Sequence, residues 1–71
     1  MYTPEQREII AANLKRLREE RKLKKAAFGR LAGVSTFTID KYESALGADM
    51  KALDKFCEFF GVDEKYLLTE H

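Results

Sequence analysis

The chain has one cysteine, one proline, four glycines and no tryptophan among its 71 residues. Each scarcity excludes something. The lone Cys57 closes no internal disulfide, and no second ligand stands near it in sequence to suggest a metal site. Gly and Pro are too few for a loop-rich or all-β chain. No apolar run approaches the ~20 residues of a membrane-spanning helix. The opening MYTPEQRE lacks the basic-then-apolar order of a secretory leader. There is no Cys/His pair, no glycine-rich phosphate loop and no metal-ligand spacing. His71, the only histidine, stands in the tail. The expectation is a cytoplasmic protein that is not an enzyme, with no cofactor, no metal and no small-molecule substrate.

What is present suits one folded domain, residues 1–71. Hydrophobic residues make up 45% of the chain and charged residues 35%, a globular rather than disordered balance. A domain this short buries only ~60% of the surface its unfolded chain exposes, so its core must be efficient. The net charge is +1, but it is unevenly spread: residues 1–34 carry a balance of +5 and residues 35–71 a balance of −4. One face can attract anions while another repels them.

The pattern predicts an all-α, compact five-helix bundle with its core over residues 10–68. Thr3-Pro4-Glu5-Gln6 reads as a capping box with proline at the first helical position. Ile10, Leu14, Leu17 and Arg21 then follow at helical spacing, to about Arg21. The opposite face holds Arg7, Lys15, Arg16, Glu19 and Lys22. A second helix is expected from Lys25 to Ala32, with Phe28, Leu31 and Ala32 inward. Gly33 allows a backbone turn that a β-carbon resists. Val34 plugs the turn, and Ser35 caps a third helix over residues 36–44 with Ile39 and Tyr42 inward. After the uncharged stretch SALGA, Asp49 caps a fourth helix. There Met50, Leu53, Phe56, Cys57 and Phe60 share a face and form a core stripe. Gly61 stops it, Asp63 caps a last helix with Tyr66, Leu67 and Leu68, and Thr69 to His71 are expected to fray. Leu46 either packs inward or meets a partner. Tyr66, Leu67 and Leu68 either close the core or offer a dimer contact.

Two short helices joined through Gly33, Val34 and Ser35 form a helix-turn-helix pattern, with its turn at 33–35. Any small helical hairpin can show these residues. The wider order is more telling. LKRLREERKL, then GVSTFTIDKYE, then LDKFCEFFGVDEKYLL, from Asn13 to Leu68, resembles the Cro/C1-type helix-turn-helix family, the lambda-repressor-like DNA-binding domains of phage repressors and related bacterial regulators.

That resemblance implies roles at matching positions. Arg18 and Glu43 match a structural ion pair between the first and third helices. Ser35, Thr36, Phe37, Asp40, Lys41 and Ser44 match outward positions of the recognition helix, where bases are read by hydrogen bonds and apolar contact. Thr36 would meet a base edge or phosphate, Phe37 a thymine methyl, Asp40 a cytosine amino group, and Lys41 guanine or phosphate. Lys25 stands where the family has a phosphate-gripping glutamine, and Lys24 where it has a capping hydroxyl. The basic run through Lys24 and Lys25 is either a solvated helix face or a phosphate contact. The implied function is a repressor-like, sequence-specific transcriptional regulator from a phage or mobile element, bound to a double-stranded DNA operator as a homodimer. The sequence also departs from the family. The loop after the third helix is neutral where the family is basic, and Asp40 is acidic. Both suit an alternative: a modulator or antirepressor that binds another repressor protein through the same scaffold.

Overall fold

The computed structural model describes residues 2–71. Its five helices are α1 (Pro4–Glu20), α2 (Lys25–Ala32), α3 (Thr36–Glu43), α4 (Met50–Phe60) and α5 (Glu64–Leu67), with no strand among the described residues. Most helix starts carry a side-chain cap. Thr3 accepts from the Gln6 amide while Gln6 reaches back to the Thr3 amide. Ser35, Asp49 and Asp63 cap α3, α4 and α5. Only α2 starts without one, because Lys24 at its cap position has no acceptor to offer.

The core is built around Phe28. Its ring lies 5.3 Å from Phe56, 5.5 Å from Phe59 and 5.1 Å from Phe60, spacings at which aromatic pairs attract. Tyr42 meets the Phe56 ring edge-on at 5.2 Å. Ile10, Leu14 and Leu17 bring the α1 stripe into the same cluster, and Ile39, Leu53 and Leu67 complete it. Arg21, which continues the helical spacing of that stripe in sequence, is instead the exposed cap residue of α1, with its guanidinium 4.7 Å over the Phe60 ring.

Several expectations about side-chain placement fail for physical reasons. Leu31 was expected inward but is 59% exposed. Gly29 faces α3, and Leu31, two residues on, lies nearly opposite it around the helix. Met50 is exposed rather than part of the core stripe, since α4's first residue projects past the buried Ala52 and Leu53. Cys57 is only partly buried, and that burial pushes its thiol up from the usual range. Leu46 does not pack inward and is 67% exposed. Ala45 takes a positive φ of 62°, and the turn sets Gly47 rather than Leu46 against the Tyr42 ring.

Thr69 to His71 lie beyond α5 and are exposed, yet Thr69 and His71 make specific contacts with the bundle. The buried Asn13 amide donates to the carbonyls of Leu67 and Thr69, each at 2.9 Å. His71 stacks on Tyr66 at 4.1 Å. Leu67 is fully buried, and Tyr66 and Leu68 pack against the core, so the α5 stripe serves core closure.

Candidate nucleic-acid interface

Where α2 meets α3, the backbone itself is the packing surface. Gly29 is buried, and a β-carbon on it would lie 2.5 Å from the Val34 carbonyl oxygen and 3.1 Å from Ile39 Cδ1. The same glycine's carbonyl accepts from the amides of both Gly33 and Val34 at 2.9 Å. Gly33 turns the chain at φ 77°, in the left-handed region that glycine enters without strain. Lys55, reaching from α4, donates to the Gly33 carbonyl at 3.0 Å and holds the turn from behind. Ser35 then starts α3, accepting from the Thr38 amide at 3.2 Å while its hydroxyl pairs with that of Thr38 at 2.9 Å. Ser35 is thus committed to capping.

The third helix has two distinct faces. Ile39 and Tyr42 are buried, while Thr36, Phe37, Asp40, Lys41 and the cap residue Ser44 are exposed. Phe37 is 68% exposed, with the Lys41 ammonium 5.0 Å over its ring, so the two form a cation–π pair on the surface.

Glu43 does not belong to this outer face. Its carboxylate accepts two bonds from the Arg18 guanidinium, at 2.7 Å and 2.9 Å, and both side chains are buried or nearly so. Arg18 also donates to the Leu23 carbonyl at 2.8 Å, tying the α1–α2 link to the same point. The hydrogen bonds that Arg18 donates to Glu43 raise the Arg18 pKa against the opposing effect of burial.

The other acidic residue of α3 also has a partner, one that nothing in the sequence announced. Lys25 Nζ lies 2.7 Å from Asp40 Oδ1, with the two side chains 42% and 52% exposed. The bond to Asp40 raises the Lys25 pKa. The pair joins the mouth of α2 to the middle of α3's outer face. Lys24 is exposed beside it, and the first-turn amides of α2 have no side-chain cap. Such amides, with the helix dipole behind them, favour an anion.

The sequence pattern sets Arg7 on the α1 face opposite the apolar stripe. It is part-buried and donates to the carbonyls of Ala45 at 3.2 Å and Tyr2 at 2.8 Å, bracing the loop that follows α3. The bond to Ala45 spans 38 residues of sequence, too far for any local pattern to reveal.

The family model described as a helix-turn-helix domain matches residues 9–67, most of the chain. The protein belongs to the DNA-binding helix-turn-helix domain family. No curated protein and no solved structure gives a match. No helix of the described residues is long and apolar enough to cross a membrane.

Proposed function

We propose that this protein is a sequence-specific, repressor-like transcriptional regulator of the Cro/C1 type, a single domain working in the cytoplasm as a homodimer. It sets α3 in the major groove of an operator. The observation that carries this reading is the two-faced α3. Its inner side is fixed by Ile39, Tyr42 and the Arg18–Glu43 pair, and Thr36, Phe37, Asp40 and Lys41 stand free of the core. Lys24 and the uncapped start of α2 would take a backbone phosphate, which sets register without reading sequence. One such domain makes few contacts, so two copies on half-sites about one helical turn apart would supply useful affinity.

A second reading rests on a specific observation. Phe37 and Leu46 are both more than half exposed, and the loop from Ser44 to Ala48 has no charge. An apolar outer surface of this kind also fits another repressor protein, which this chain would modulate.

Selection from a random duplex pool, followed by a salt titration, separates the two. The DNA reading expects one enriched motif and a log K that falls steeply with log salt as several phosphates are neutralised. An unselective pool with feeble attraction even at low salt would favour the protein partner.

A further inference from the structure

The Lys25–Asp40 pair occupies an unusual place. Lys25 is at the mouth of α2, where an approaching phosphate would arrive, and Asp40 is in the middle of the face turned to the bases. Both side chains reach solvent, so water screens their attraction and the pair adds little to fold stability. The nearby Arg18 and Glu43 are paired with each other, and the exposed Lys24 and Lys41 flank the Lys25–Asp40 pair in sequence without an ion pair of their own among the described residues.

We infer that Asp40 is a specificity-determining residue that masks Lys25, releasing it to a phosphate only where the carboxylate finds a hydrogen-bond donor on a base. The inference rests on the DNA reading above. A duplex of arbitrary sequence meets the pair as a neutral unit. For Lys25 to move onto a phosphate, Asp40 must be left unpaired among backbone phosphates, which is unfavourable. A cytosine amino group in the major groove removes that penalty, because it donates to a carboxylate. Lys25's attraction, which alone would be indifferent to sequence, becomes conditional on the base that faces Asp40.

The experiment uses four proteins: wild type, Asp40→Asn, Lys25→Gln and the double variant, with circular dichroism to establish that each is folded. Affinity is measured against salt on a random-sequence duplex and on the selected operator. On random DNA, Asp40→Asn is expected to tighten binding and steepen the log K against log salt slope by about 0.9, the contribution of one phosphate contact. In the Lys25→Gln background the same substitution should leave that slope unchanged. On the operator, Lys25→Gln should flatten the wild-type slope by about 0.9, while on random DNA it should not.

Equal tightening by Asp40→Asn with and without Lys25 would mean that Asp40 merely repels DNA, and would overturn the mask. No effect on either duplex would reduce the pair to a tie between two helices, and would also overturn it. If no protein of the four binds any duplex at low salt, the DNA reading falls and takes the mask with it. That pattern differs from a wild type that binds without coupling.

Discussion

At the scale of single residues, acidic side chains on the third helix of a helix-turn-helix domain need an account, and Glu43 and Asp40 receive different ones. Glu43 is buried against Arg18 and is a packing element. Removing one member of a buried pair strands the other, typically at ~3–5 kcal/mol, whereas replacing both with apolar groups is often near neutral. Glu43→Leu or Arg18→Met is therefore expected to destabilise the fold by about 3 kcal/mol, read from urea unfolding. Arg18→Met combined with Glu43→Leu should cost less than either single change. The combined variant still loses the bond to the Leu23 carbonyl, about 1 kcal/mol. Additive single effects would show that the two residues act independently. This pair was legible in the sequence through family resemblance. The Lys25–Asp40 pair was not, since its partners lie on different helices and no local spacing joins them.

At the scale of elements, the starts and stops of helices were legible because caps are local chemistry. Thr3, Ser35, Asp49 and Asp63 each bond an amide two or three residues on. Which side of a short helix faces inward was less legible. The eight residues of α2 give too little periodicity, and a glycine holds the innermost contact with α3. Hydrophobic pattern marks Leu31 and overlooks Gly29. That difference has a testable consequence. Alanine is the better helix former by about 1 kcal/mol, so propensity alone says Gly29→Ala stabilises. The structure says the opposite, because the new β-carbon meets the Val34 carbonyl oxygen at 2.5 Å. Overpacking against backbone typically costs ~1–3 kcal/mol, so a net loss of stability is expected. The α2–α3 angle should open with it, visible as amide shift changes through both helices. A more stable Gly29→Ala variant would show that the two helices are not in close contact.

At the scale of the whole molecule, long-range hydrogen bonds that no sequence window contains close the bundle. Asn13 lies among the apolar residues of α1, yet it holds the α5 end and the tail through two carbonyls. Asn13→Ala leaves the buried Leu67 carbonyl unpaired, and a loss of about 2 kcal/mol is expected, with Thr69 to His71 becoming mobile by NMR relaxation. Tyr42 links the centre to solvent pH. Its hydroxyl donates to the Asp49 carbonyl at 2.5 Å, and burial, helped by the Asp49 and Asp54 carboxylates, pushes its phenol up to about 12 from 10.0. A folded-state value above the unfolded one means that the folded protein keeps a proton the unfolded chain releases. Stability should be flat through neutral pH, then fall as pH rises from 10.0 towards 12. Tyr2 acts in the same direction, since burial and its hydrogen bond to Glu64 raise its phenol as well. Tyr42→Phe should cost about 1 kcal/mol at neutral pH by losing the Asp49 bond, and it should remove part of the alkaline decline. Urea midpoints across pH 8–12, alongside tyrosinate absorbance, check this. An alkaline decline of the same size in Tyr42→Phe would assign it to Tyr2 and to the net charge of the molecule instead.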